Sequence, residues 1–269
     1  MLKTRVITAI VLLAVLLPVT LFAPLAAFGV LIRVVVAFAA WEWARLLNAG
    51  KVGSIVYAAV VSAAIVFGSR VEAPRALFQA AAVFWVVAGP YVLLRKPALG
   101  KGSWRAFLLV VGLVIFAASW HALIVARAMG VAFVLSLLLV VWLADIGAYF
   151  AGKAFGRHKL APAISPGKTW EGAVGGWVAV MVVSVVATLL HAFEPTLFST
   201  LFERVGVVRE LFALTVLVAF SVVGDLFESL LKRQAGVKDS SGLLPGHGGV
   251  LDRIDALLPV LPLAMLLLA

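Results

Sequence analysis

The sequence predicts an all-α, polytopic transmembrane protein: one membrane domain over residues 1–269, with about nine spans and a cytoplasmic N-terminus. Three observations lead there. Apolar residues make up 64% of the chain and charged ones 13%, with a mean hydropathy of +1.17, whereas roughly a quarter of residues are charged in soluble proteins. Apolar runs of about 17 to 25 residues, long enough to cross a bilayer as helices, recur from end to end. The basic residues collect in short segments between those runs, mainly on alternate sides, as they do where loop charge sets orientation in a membrane.

The runs fall at residues 6–23, 25–43, 53–69, 76–94, 105–125, 130–150, 172–191, 210–228 and 251–268. The first is long enough to span and no small-residue cleavage site follows it, so it reads as a retained helix rather than a signal peptide. Pro24 divides it from the second. Of the 22 Lys and Arg, sixteen fall in the segments that share a side with the N-terminus. Five (Arg70, Arg75, Arg127, Arg204, Arg209) fall opposite, and Arg33 lies within the second run. Removing any one run would invert everything after it and erase this bias. The segment from Glu194 to Glu210, which mixes both signs of charge, reads as a solvated outer connector.

There is no cysteine, which excludes a disulfide framework and any thiol nucleophile or thiolate metal site. A net charge of +10 could indicate nucleic acid. Its dispersal among short loops indicates membrane orientation instead, and no nucleic-acid partner is expected.

Polar residues concentrate in two inner segments, so the stretch from about residue 130 onward is expected to carry the site. The first segment begins at Asp145. A carboxylate near a span end is costly unless paired or lining a polar cavity, so Asp145 marks either a functional position or a structural partner for Lys153 or a nearby arginine. Downstream, S-P-G-K-T-W-E-G lacks the spacing of a phosphate loop, and no strand is expected before it. Its Ser165, Lys168 and Thr169 still place hydroxyls and a cation at the start of the seventh run, where free helix amides favour anions. Trp170 reads as an interfacial anchor.

The second segment joins the last two runs. On a helix, Asp225, Glu228 or Ser229, and Lys232 follow one face. Asp252 and Asp255 are three apart, which places them on a common face at the start of the last run. One aspartate there would be an ordinary partner of the helix dipole. Two on one face, a third at Asp225, and an intervening turn of Gly246, His247, Gly248 and Gly249 ask for more. Carboxylates without Cys or several His are the ligand set of a hard cation such as Mg²⁺, and Asp225, Asp252 and Asp255 are the expected ligands. Lys232, Arg233, Lys238 and Arg253 suit phosphate oxygens. Together they describe a clamp for phosphoryl or nucleotidyl transfer. Ser229, Asp239, His247, Gly248 and Gly249 would shape the loop. The plainer alternative, that the cations merely hold anionic membrane lipids at ~1 kcal/mol each near the surface, leaves three carboxylates unexplained.

From Ser229 to Asp255 the chain reads S-x-x-K-R-x-x-x-x-K-D-x-x-x-x-L-P-G-H-G-G-x-x-D-R-x-D, which resembles the signature of the phosphatidate cytidylyltransferases, or CDP-diacylglycerol synthases. Every fixed position is in register. D-x-x-A-Y-x-x-G from Asp145 and S-P-x-K-T-x-E-G from Ser165 are similar to further blocks of that family. The first hundred residues match in hydropathy and in the Glu42–Trp43 pair, and Ala256 stands where relatives often carry Ser. The resemblance implies transfer of a cytidylyl group from CTP to phosphatidate, giving CDP-diacylglycerol and pyrophosphate for phospholipid synthesis. It further implies Mg²⁺ with a second, monovalent or divalent, cation, a homodimer, and a site on the cytoplasmic face of the cell's inner membrane. Lys168 and Ser165 would close the site from the other inner loop. A CTP-dependent lipid kinase would need the same clamp. An anionic-metabolite transporter would carry its charges near mid-membrane, with internal repeats, and neither feature is evident.

Overall fold

A computed structural model describes residues 2–68, 74–190 and 194–268, so the expected outer charge Arg70 lies outside the described residues. The chain is nearly all helix: α1 Leu2–Phe22, α2 Leu25–Leu46, α3 Gly50–Gly68, α4 Pro74–Val83, α5 Gly89–Arg95, α6 Gly102–Met129, α7 Val131–Phe155, α8 Trp170–Leu190, α9 Leu197–Gln234, α10 Leu251–Ile254 and α11 Leu257–Leu267. Between α7 and α8 lies an antiparallel hairpin, β1 Lys159–Ala161 and β2 Ser165–Thr169. Pro24, extended at ψ 156°, separates α1 from α2.

Among the described residues seven helical segments are long and apolar enough to cross a membrane: α2, α3, the stretch Arg75–Arg95, α6, α7, α8 and α9. The protein is therefore a multi-pass membrane protein. Large apolar side chains such as Leu94 (81% exposed) and Val110 (68%) stand on its outer surface, where lipid would meet them. Arg75–Arg95 stays one rod because α4 and α5 are joined by a π-helical turn, Phe84–Ala88, in which the Gly89 amide bonds back to Phe84 O. Pro90 has no N–H for the regular ladder and its ring crowds the preceding turn; widening that turn accommodates it.

Two expectations change. The connector before residue 210 is exposed only in part: residues from Leu197 are helical and joined to α9 across a kink at Gly206 (φ 75°), and the first helical turn is buried while residues 202–209 are mostly exposed. Leu197, Phe198 and Leu201 are at most 1% exposed, because their spacing puts them on one helix face that docks inward. Thr196 and Ser199 form a capping box there, and the Leu197 amide donates to Ser136 Oγ at 2.7 Å. The last apolar run is also not one continuous helix. It breaks between α10 and α11, beside Asp255 and Ala256.

The interior is built round aromatic rings. Trp43 of α2 stacks on Phe227 of α9, with centroids 5.7 Å apart and planes 13° apart, and Phe84 and Trp85 meet the same Phe227 edge-on. These rings lock α2, the π turn and α9 together. Their sequence neighbours, Glu42 before Trp43 and Glu228 after Phe227, are both buried.

Candidate active site

The expected row on α9 is present. Ser229 Oγ donates to Asp225 Oδ1 at 3.3 Å. One turn on, Lys232 forms ion pairs with Glu228 on its own helix and with Asp252 of α10, Nζ to Oδ1 2.6 Å. Lys232 thus joins α9 to α10, which the sequence separates by a long loop.

That loop is folded tightly by its own residues. The His247 amide donates to Leu244 O at 2.8 Å, closing a turn over Pro245 and Gly246. Gly246 has φ 77°, the left-handed value that glycine supplies after proline in such a turn. Gly248 (φ 83°) follows, and a Cβ there would lie 2.6 Å from Asp252 Oδ2. Arg253 Nε and Nη2 donate to His247 O at 3.1 and 2.7 Å. Lys238, Asp239, His247, Gly248 and Arg253 line a cavity of about 490 Å³.

Asp252 makes several contacts within the protein. Its Oδ2 accepts from Ser240 N (2.9 Å), Ser240 Oγ (3.0 Å) and Gly249 N (2.7 Å), while Oδ1 holds Lys232. Both oxygens have protein partners, so Asp252 also braces the loop. Arg233 is also partly committed, its Nε reaching Ile164 O at 3.3 Å in the hairpin.

A residue outside the expected set completes the brace. Glu42, fully buried on α2, accepts from Ser240 Oγ (3.0 Å), Ser241 Oγ (2.5 Å), Val250 N (3.1 Å) and Leu251 N (2.6 Å). A carboxylate inside the second apolar run was the available signal, by the same argument from cost that singled out Asp145.

The first inner segment, expected to be a loop, is the hairpin. Glu171 holds its beginning, accepting from the Arg157 and His158 amides at 3.1 and 3.2 Å. Thr169 is 5% exposed and its Oγ1 accepts the Gly172 amide at 3.1 Å; its hydroxyl serves the start of α8. Lys168 reaches across to α9 and pairs with Asp225 Oδ2 at 2.5 Å. Asp145, Ser165, Lys168, Thr169 and Asp225 line a second cavity, about 530 Å³, between α7, α8 and α9.

Asp145 and Asp255 both interact electrostatically with Asp225, and Lys168 attracts all three. Asp145 of α7 and Asp225 of α9 line one cavity, and Asp255 at the α10–α11 junction lies near enough to act on Asp225 electrostatically. Among the described residues no group of three or more His, Cys, Asp or Glu side chains is placed to hold a metal ion. The donors here are carboxylate oxygens, the ligand type of a hard cation such as Mg²⁺, which takes one or two of them and fills its shell with water and phosphate.

Buried carboxylates and cations at one end of a helical membrane bundle are the equipment of an integral membrane enzyme that handles phosphates. The chain belongs to the cytidylyltransferase family, whose sequence pattern matches residues 3–269. It is 42% identical to the phosphatidate cytidylyltransferase of Pseudomonas aeruginosa, over 100% of this chain and 97% of that one. It is 35% identical to the protein so named in Haemophilus influenzae (97% and 96% covered) and 34% identical to that of Staphylococcus saprophyticus (99% and 98%).

Proposed function

We propose that the protein transfers the cytidylyl group of CTP to phosphatidate, releasing pyrophosphate, from the cytoplasmic side of the cell's inner membrane. The observation that carries this reading is the Lys168–Asp225 pair in one cavity with Asp145, with Asp255, Lys232 and Arg253 near enough to act on these carboxylates electrostatically, in a chain whose full-length relatives bear that enzyme's name. The charge bias of the loops supports nine spans, with α1 and the α10–α11 pair added to the seven.

An oxygen of the phosphatidate phosphate forms a bond to the α-phosphorus of CTP. The bond from that phosphorus to the bridging oxygen breaks, and its electron pair leaves with pyrophosphate. The nucleophile is already an anion at neutral pH, so the chain has no proton to remove. Its residues bring two polyanions together: Lys168 and Arg253 offset phosphate charge, and Lys232 holds Asp252 and Glu228 so that the loop keeps its shape. Asp225, Asp252 and Asp255 would hold Mg²⁺, with Asp145 near them. When bound, the ion supplies charge neutralisation on the phosphate oxygens.

The purified protein, given phosphatidate, Mg²⁺ and CTP labelled with ³²P at the α-position, is expected to label the lipid. Label that enters only from the γ-position would make the protein a lipid kinase and overturn the reading. Asp225→Asn and Asp255→Asn are each expected to raise the Mg²⁺ concentration for half-maximal rate and to lower the rate by about a hundredfold.

A further inference from the structure

The turn between α5 and α6 is held more firmly than a connector needs. Among the described residues Asn48 and Lys96 are the only non-glycine residues with positive φ, 58° and 48°, a conformation uncommon for residues with a Cβ and one that persists where surrounding structure enforces it, often at binding sites. Both line one hollow of about 370 Å³ between the α2–α3 turn, the α5–α6 turn and the end of α9, a volume within the range of roughly 300–1,000 Å³ typical of small-molecule sites. Gln234 of α9 fixes its wall, accepting the Leu99 amide and donating to Pro97 O, both at 2.8 Å. Gly100 closes on Asn48 so tightly that a Cβ would lie 2.5 Å from Nδ2, and Arg105 Nη1 donates to Asn48 O at 3.4 Å.

The hollow carries charge of one sign. Lys96 and Lys101 line it, and no Asp or Glu does among the described residues. Arg95 and Arg105 flank it in sequence, and all four cations are exposed. Between Glu42 and Asp145 the sequence holds a single acidic residue, Glu72. A second hollow of about 440 Å³ adjoins the first, since Lys96 lines both, and its wall is apolar: Leu93 and Leu94 of α5, Leu226 of α9, and Pro162 and Ile164 at the hairpin tip. Tyr91 and Trp104 stack at this end of α5 and α6, with centroids 6.1 Å apart. Such aromatic pairs mark the headgroup level of a bilayer.

We propose that the two hollows together bind an anionic membrane phospholipid that is not the substrate, its headgroup phosphate between Lys96 and Lys101 and an acyl chain along Leu93, Leu94 and the hairpin tip. Charge complementarity chooses this occupant, because basic residues at headgroup level attract anionic lipid. A free phosphate would use the basic half and leave the adjoining apolar wall uncovered. Neither lysine lines the two cavities of the candidate active site, so the site goes beyond the transfer reading and does not depend on it.

Native mass spectrometry of the full-length protein in neutral detergent, without CTP or phosphatidate, counts the lipid retained as phosphatidylglycerol or phosphatidylcholine is titrated in. The wild type is expected to hold phosphatidylglycerol at least about tenfold more tightly than phosphatidylcholine, the scale of two cations near a headgroup. Lys96→Ala/Lys101→Ala should erase that preference and leave phosphatidylcholine binding unchanged. Lys51→Ala/Lys159→Ala removes two exposed cations that line neither hollow and should match the wild type. Equal losses in the two double variants would reduce the site to diffuse surface charge and overturn it. Glycerol 3-phosphate in large excess should leave the lipid in place; displacement would make the ligand a free phosphate and overturn the lipid assignment. Turnover of phosphatidate in phosphatidylcholine micelles should be the same in Lys96→Ala/Lys101→Ala as in the wild type. A raised phosphatidate KM there would give the hollows to the substrate and overturn a separate site. The binding arms need no turnover, so they stand or fall apart from the transfer reading.

Discussion

Glu42 Oε2 accepts the Leu251 amide at 2.6 Å, across 209 residues of sequence. One side chain of α2 thereby holds the first amides of α10 and, through Ser240 and Ser241, the loop before it. Glu42→Ala would leave the Ser241 hydroxyl and two amides without their acceptor, Ser240 keeping Asp252, each orphan costing about 1–3 kcal/mol. A loss of roughly 3 kcal/mol or more follows, with turnover falling at least as steeply. Glu42→Gln keeps the shape and one acceptor oxygen and should lie between. Thermal unfolding and turnover in the same detergent check this; a Glu42→Ala protein equal to wild type in both would remove Glu42 from the brace.

Lys232 is the counter-charge of two carboxylates, Glu228 and Asp252. Removing it as Lys232→Met strands both in a buried place, at a cost of about 3–5 kcal/mol. Adding Glu228→Gln removes one of the stranded charges, so the double variant should regain about 1–2 kcal/mol over Lys232→Met. A double-mutant cycle on unfolding free energy reads the coupling directly. Additive losses would mean that the two side chains do not share their charge.

Gly248 adopts φ 83° and lies so close to Asp252 that a Cβ would come within 2.6 Å of Oδ2. Gly248→Ala carries a left-handed penalty of about 1–2 kcal/mol and pushes on the carboxylate that Ser240, Gly249 and Lys232 hold. Turnover should fall by at least about tenfold, the rate equivalent of that penalty. Gly53→Ala on α3, where a Cβ meets only Ala49 at 3.5 Å, is the control that should leave turnover unchanged.

Phe198, 1% exposed, belongs to the helix ahead of the Gly206 kink and takes no part in either cavity. Phe198→Ala should destabilise the protein by about 3–5 kcal/mol while the KM values of the folded fraction stay the same. Denaturation and steady-state assays at a temperature below the variant's melting point separate the two effects.

The helices and the α9 row were legible because hydropathy and three-to-four spacing act locally. Pro24 marked a real break for the same reason. The docked face of Leu197, Phe198 and Leu201 was hidden by the neighbouring charges Glu194, Glu203 and Arg204, which made the segment look solvated on average. Asp252 and Asp255 looked alike in spacing, yet tertiary partners separate them: Asp252 is enclosed by Lys232, Ser240 and Gly249, and Asp255 is left toward Asp225. Glu42 lay outside the expected site because its partners are some two hundred residues away. Only the fold brings that distance to zero.

Helix α9 carries Asp225 and Lys232, grips the hairpin through Arg233 and Ile164, and with Gln234 accepts the Leu99 amide and donates to Pro97 O before α6. Successive helical residues turn by about 100°. Deleting one residue between Asp225 and Lys232 would swing Lys232, Arg233 and Gln234 away from their mates together, whereas lengthening the hairpin tip would leave all of them aligned. The rod works as a camshaft whose angular setting times several distant loops at once.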